Sequence, residues 1–250
     1  PKALYHENRG NSRPFLTFSC VDCSIGGRSL KTRRPPSQVM RLPLSALEHD
    51  LTQRRSNPQI HLRPAVFVDR DGTLNVERGY LSRPEEVALL PTVGKALGLL
   101  NRLGIPVIVI TNQSALGRGV MKWAEFEAVN AALWKALQDA GAFYDALYYC
   151  PHAPNGNSSC GCRKPQPGLL LQAALDLNLD LPRCFVVGDK RSDLEAGRIC
   201  GCYTVLVRTG WGEETHREML AEGWEPDCVA DTLLEATRWI ELQLGSRASP

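Results

Sequence analysis

The sequence predicts an α/β protein built on a doubly wound, Rossmann-like parallel sheet with helices on both faces. Two observations predict it. From Pro64 onward, short continuous runs of β-branched and apolar residues recur, and unbroken rather than alternating runs are how strands covered on both faces read. Between those runs lie stretches with helical character, and strand-helix alternation of this kind gives parallel crossover units.

Four runs are predicted strands: Ala65-Val66-Phe67-Val68, Pro106-Val107-Ile108-Val109-Ile110, Cys184-Phe185-Val186-Val187 and Thr204-Val205-Leu206-Val207. Predicted helices run from Pro84 to Leu103, Lys122 to Ala140, Gly168 to Leu177, Asp193 to Cys200 and Asp231 to Leu244. Only 39 residues separate Asp71 from Thr111, and they read as a loop plus one helix. No large cap domain fits there, so a site at the strand ends is expected to be open.

With 250 residues, 43% hydrophobic and 22% charged, the chain suits one sizeable core. That core is assigned to residues 64–245, with a tail over 246–250. Residues 1–63 have a different character. Of the 29 Lys/Arg and 27 Asp/Glu they hold 11 and 4, leaving 18 and 23 for the rest, so the local balances are +7 and −5. The segment contains Arg33-Arg34-Pro35-Pro36 and Arg54-Arg55-Ser56-Asn57-Pro58 and shows no sustained periodicity. It reads as a basic, largely disordered extension with a short helix near Leu44 to Leu51, and trimming to residue 64 is expected to leave activity intact. No run of eighteen apolar residues and no charged-then-apolar leader occurs. The expectation is a cytoplasmic monomer that engages no membrane.

In an open parallel sheet, ligands bind beyond the carboxyl ends of the strands. The residues just past the predicted strands are Asp69, Thr111 and Asp189. Asp69-Arg70-Asp71-Gly72-Thr73 puts two carboxylates two residues apart on a turn loosened by Gly72, so both face one crevice. With Asp189, three carboxylates crowd that crevice, and like charges at close range resist joint ionisation unless a cation neutralises them. A hard, oxygen-seeking ion such as Mg²⁺ meets that need and also screens a phosphate against an attacking carboxylate.

A second cluster is Cys150-Pro151-His152 followed, after seven residues, by Cys160-Gly161-Cys162-Arg163-Lys164-Pro165. Three thiolates and one imidazole make a closed Cys₃His set for Zn²⁺, structural rather than catalytic. Such a zinc-stabilised loop would project Arg163 and Lys164 into the site. Cys20-x-x-Cys23 has no second ligand pair, and Cys184, Cys200, Cys202 and Cys228 read as buried or incidental.

D-x-D-G-T after one strand, Thr111-Asn112 after a second and Gly188-Asp189-x-x-x-Asp193 after a third resemble the haloacid dehalogenase-like phosphatases. The resemblance implies that Asp69 is the nucleophile, while Asp71 protonates the leaving oxygen and later activates water. It implies magnesium held by the Asp69 side chain, the Asp71 carbonyl and Asp189, with Asp193 in support. Thr111 and Lys164 would complete the phosphate cradle. The zinc loop narrows the resemblance to the branch that includes the heptose bisphosphate and histidinol-phosphate phosphatases. Further matching segments are Gly79-Tyr80, Thr111-Asn112-Gln113-Ser114, Cys162-Arg163-Lys164-Pro165-Gln166-Pro167-Gly168 and Gly188-Asp189-Lys190, within a span from Pro64 to Leu244. Implied substrate contacts are Arg70, Glu77, Arg78, Gly79, Tyr80, Asn112, Gln113, Ser114, Arg163 and Lys190. Arg78 stands where histidine is often found.

The implied reaction is Mg²⁺-dependent hydrolysis of a small phosphorylated sugar, D-glycero-D-manno-heptose 1,7-bisphosphate, to the heptose 1-phosphate. Histidinol phosphate, or another small metabolite, is the alternative. A nucleic-acid 3′-phosphatase is suggested only by the basic N-terminal segment.

Overall fold

The computed structural model describes residues 16–19, 43–154 and 160–246. The pairs Arg33-Arg34 and Cys20/Cys23, and the tail beyond 246, lie outside them. Seven parallel strands form one sheet: β1 (Leu16–Ser19), β2 (Val66–Val68), β3 (Val107–Asn112), β4 (Ala146–Cys150), β5 (Phe185–Gly188), β6 (Tyr203–Val207) and β7 (Cys228–Ala230). Their spatial order is β1-β4-β3-β2-β5-β6-β7. The chain moves outward from β2 through β3 and β4, then returns to β2's other side for β5, β6 and β7. That reversal opens a crevice between the carboxyl ends of β2 and β5, where open α/β sheets place ligands.

Alternate strand residues serve opposite layers. Val66, Val68, Val107, Val109, Phe185 and Val187 pack under α2 (Val93–Arg102), α4 (Trp123–Asp139) and α8 (Leu233–Ser246). Phe67, Ile108, Ile110 and Val186 face α1 (Leu44–Ser56), α5 (Gly168–Leu177) and α6 (Arg191–Ile199). Both faces are covered, which is why the predicted strands carry no polar alternation. All four expected strands are present. β1, β4 and β7 were not expected: β1 falls in the segment read as disordered yet pairs with β4, β4 ends in Cys150 of the Cys₃His cluster, and β7 has only three residues. The helices α3 (Ser114–Gly117) and α7 (Gly212–Ala221) complete the described set.

Two expectations change. The helix predicted from Pro84 to Leu103 is split into a 3₁₀ turn over Pro84–Glu86, an extended stretch, and α2. Pro91 has no N–H to give and disfavours a helical residue before it, and Leu90 N–H instead donates to Leu74 O at 3.0 Å. The second change concerns residues 43–63, which join the body of the protein instead of extending from it. Leu44, Leu47 and Leu51 repeat at helical spacing, and Leu47 and Leu51 are buried in the core cluster that contains α5. Burial of each leucine contributes about 1.5–3 kcal/mol, enough to seat the short helix expected near Leu44 to Leu51, which runs on to Ser56.

Candidate active site

Asp69 follows β2 and Asp189 follows β5, so neighbouring strands deliver them to the same crevice. Oxygens of Asp69, Asp189 and Asp193 all lie within 4.8 Å of one another. Asp193 reaches them because its carboxylate, in the first turn of α6, folds back to accept from Lys190 N–H at 3.1 Å, a favourable place for negative charge. Burial raises the proton affinity of Asp69, to a pKa of about 6, and the Asp193 and Asp71 charges add to it against Lys164 and Lys190. Burial likewise raises Asp189, to about 8, with Asp69 and Asp193 adding to it. Asp189 Oδ2 accepts from Trp211 N–H at 2.9 Å, but the buried Oδ1 has no hydrogen-bond partner. An orphaned carboxylate oxygen among crowded carboxylates fits a divalent cation.

The turn after β2 allows this approach only with glycine at 72. Its φ is +91°, and a Cβ there would lie 2.1 Å from Asp189 Oδ2. Lys164 closes the opposite side. Its buried Nζ is 2.6 Å from Asp69 Oδ1, 2.5 Å from Asp193 Oδ1 and 2.7 Å from Ile110 O. Burial alone would lower the Lys164 pKa, but the Asp193 and Asp69 charges outweigh it and raise it, keeping the ammonium charged.

Asp71 faces the crevice from the other side of Asp69. Burial would raise its pKa, yet the Arg70 charge and hydrogen bonds from Arg70, Asn75 and Gln113 hold it below the usual carboxylate range. Gln113 Nε2 donates to Asp71 Oδ2 at 2.9 Å and to Thr111 Oγ1 at 2.8 Å. By occupying a lone pair of Thr111, it leaves that hydroxyl hydrogen to donate elsewhere.

A cavity of about 300 Å³ is lined by Asp69, Asp71, Glu77, Gly79, Tyr80, Thr111, Asn112, Gln113, Ser114, Ala115, Arg163, Lys164, Lys190, Ser192 and Asp193. Most expected site residues therefore meet. Glu77 and Lys190 pair at 2.6 Å across it, and half-exposed Tyr80 stands at its mouth.

Arg70 and Arg78 do not line it. Arg70 is 1% exposed, pairs with Asp71 at 2.7 Å, donates to Asn130 Oδ1 at 3.1 Å and lies over the Phe126 ring. Its expected place at the substrate gives way to holding Asp71 from behind. Asn112, expected as a substrate contact, lines the cavity but spends its amide on Lys164: Nδ2 donates to Lys164 O at 3.0 Å, and Oδ1 accepts Lys164 N–H at 3.1 Å. Asn75, Asn130 and Ser192 were not anticipated. Asn75 sits two residues past the D-x-D-G-T motif and was open to discovery, whereas Asn130 lies inside α4 with no motif around it.

The second cluster also assembles. Cys150, His152, Cys160 and Cys162 place one ligand atom each within 4.8 Å of the others. His152 Nδ1 is 3.4 Å from Cys150 Sγ and 3.2 Å from Cys162 Sγ, and Cys150 Sγ is 3.6 Å from Cys160 Sγ. Tetrahedral zinc with bonds of about 2.3 Å to sulfur and about 2.0 Å to nitrogen has ligand-ligand edges of roughly 3.5–3.8 Å, so the set fits. A hydrogen bond from Cys162, aided by His152 against burial, lowers the Cys150 pKa to about 5, favouring a thiolate.

An HAD-hydrolase-like family model matches residues 161–236. A D-glycero-beta-D-manno-heptose-1,7-bisphosphate 7-phosphatase of Haemophilus ducreyi is 38% identical over 185 residues, 71% of this chain and 98% of the relative. A D-glycero-D-manno-heptose-1,7-bisphosphate 7-phosphatase of Thermosynechococcus vestitus is 39% identical over 194 residues, 74% of this chain and 99% of the relative. Among solved structures, D,D-heptose 1,7-bisphosphate phosphatase from B. bronchiseptica, complexed with magnesium and phosphate, aligns with a TM-score of 0.66 and 33% identity over 72% of this chain and 99% of that one. With its strand-end carboxylates, buried lysine and Cys₃His loop in place, this chain belongs to the heptose-1,7-bisphosphate phosphatase family of HAD-like hydrolases.

Proposed function

We propose that this protein removes the C7 phosphate from D-glycero-D-manno-heptose 1,7-bisphosphate, leaving the heptose 1-phosphate, through an aspartyl-phosphate on Asp69. The observation that carries the reading is Asp69 itself. It is buried, 2.6 Å from the Lys164 ammonium, and gathered with Asp189 and Asp193.

In this reading a carboxylate oxygen of Asp69 attacks phosphorus and the sugar oxygen departs with the proton that Asp71 supplies. Water, deprotonated by Asp71, then releases phosphate and restores Asp69. Asp71 takes up its proton only when the phosphoryl charge offsets the influence of Arg70. Lys164 and the Thr111 hydroxyl meet charge on the transferring oxygens, a contribution of roughly 3 kcal/mol for one well-placed donor. Magnesium, held by Asp69, the Asp71 carbonyl and Asp189 with Asp193 beside it, would supply charge neutralisation that lets the nucleophile approach an anionic phosphate. Arg163 and Lys190 carry the positive charge that suits a substrate with a second phosphate. Zinc in the Cys₃His set would fix the loop that bears Arg163 and Lys164.

A cytoplasmic location and action as a monomer belong to the same proposal. None of the seven described cysteines is in a disulfide, which is the state a reducing compartment maintains. Among the described residues no helix is long and apolar enough to cross a membrane. The test is phosphate release, with and without magnesium, from the heptose bisphosphate, histidinol phosphate and 3′-phosphorylated nucleic acid. Preference for either of the last two would overturn the substrate assignment.

A further inference from the structure

We propose that α1 is a brace for the Cys₃His knuckle, and through it for the loop that presents Lys164. The helix lies upstream of the Pro64 to Leu244 stretch that carries the family motifs, so nothing in those motifs demands it. Its first residue, Leu44, lies against Gly161, between the ligands Cys160 and Cys162. A Cβ at Gly161 would lie 3.0–3.2 Å from three Leu44 side-chain carbons. Leu44 belongs to the same apolar cluster as Cys160 and Cys162, and Leu47 and Leu51 continue the contact into the layer formed by α5.

The far end of α1 is tied by polar contacts. Arg54 donates to Leu175 O at 2.7 Å and to Asn178 Oδ1 at 2.9 Å, and Arg55 pairs with Asp180 at 3.4 Å. The Arg54 bond to Leu175 O satisfies a carbonyl that the last turn of α5 leaves without an intrahelical partner. The start of α5 is in turn joined to the knuckle, because Gly168 N–H donates to Gly161 O at 2.9 Å. The knuckle is therefore gripped on two sides: Leu44 presses on Gly161, and α5, which α1 clamps, holds the Gly161 carbonyl. Lys164 is only three residues past Gly161, with little slack to absorb a shift. On this proposal, trimming to residue 64 would remove α1 and with it the brace.

The inference rests on the reading of the Cys₃His set as a zinc site, and the experiment separates the two. Full-length protein is compared with Leu44→Ala and with Leu47→Ala. Amide hydrogen exchange is followed at residues 160–164, and zinc release to a chromogenic chelator is timed. Removing the Leu44 contact is expected to speed both by about tenfold, while exchange in β6 stays at the wild-type rate. Leu47→Ala, which loosens α1 without touching Gly161, should speed exchange at 160–164 to a lesser degree. Unchanged exchange at 160–164 in both variants overturns the brace, and so does an equal rise in β6. Wild-type protein without zinc would remove the zinc reading alone, and the exchange measurement would still decide the role of α1.

Discussion

Asn112 distinguishes two ways of building the phosphate cradle. Read from its motif it is a substrate contact; in the structure its amide makes a reciprocal pair of hydrogen bonds with the Lys164 backbone, at 3.0 and 3.1 Å. Asn112→Ala removes both. Each such bond is worth about 1 kcal/mol net, and a buried N–H or carbonyl left unmet costs about 1–3 kcal/mol. The Lys164 segment thus loses about 2–4 kcal/mol of restraint, part of which water in the open cavity restores. Because Lys164 Nζ must sit within hydrogen-bond reach of both Asp69 and Asp193, loosening its backbone acts on the chemical step. The expectation is a fall in kcat of about 10-fold to 100-fold with KM changed less than about threefold. The assay is steady-state phosphate release on the bisphosphate at saturating magnesium, with circular dichroism to confirm the fold. A rise in KM with kcat unchanged would refute this reasoning and return Asn112 to direct substrate binding.

Asp69→Asn is expected to abolish phosphate release while circular dichroism shows the fold retained, since Lys164 keeps its bond to Asp193; turnover at the wild-type rate would exclude a covalent route through Asp69. Metal analysis should find one zinc per chain, and its chelation should speed amide exchange at residues 149–154 and 160–165 and lower the Tm; exchange at those positions indifferent to chelation would deny zinc its structural part. Asp176 supplies a pH test away from the metal ligands. Burial raises its pKa, against hydrogen bonds from Gln172 and Tyr148 and the charge of Arg54. Its folded-state value lies above the unfolded one, so its stabilising contribution is present below about pH 4 and is lost as pH rises through the folded value. Relative to wild type, Asp176→Asn should therefore have a higher Tm at pH 8 than it does at pH 4, and a reversed order in thermal melts would show that the hydrogen bonds outweigh burial.

The sheet was legible because its central strands are buried on both faces and so print themselves as unbroken apolar runs. β4 escaped notice for a related reason: its Tyr148-Tyr149-Cys150 serves the core and the Cys₃His cluster at once, and chemistry masked the strand. α1 was expected as a short helix, but its docking was missed, because a helix that buries one narrow stripe against α5 can be polar everywhere else. Composition summed over residues 1–63 reports the polar surface, while Leu44, Leu47 and Leu51 alone decide the docking. Asp193 was placed near Asp189 from the sequence, but its reach to the other carboxylates depends on the fold-back at the start of α6, which spacing alone does not specify.

Arg70 shows how a sound sequence argument can be carried one residue too far. Asp69 and Asp71, either side of Arg70 on the turn after β2, both line the crevice. The residue between them points the other way, toward α4, where Asn130 and the Phe126 ring receive the guanidinium. From there its long side chain reaches back to the Asp71 carboxylate, with Nη2 2.7 Å from Oδ2. A motif position flanked by two catalytic candidates is thus better placed to orient one of them than to meet substrate. On the proposed reading, the positive charge for the substrate's far end comes instead from Arg163 and Lys190, which line the cavity on loops next to the knuckle and the start of α6.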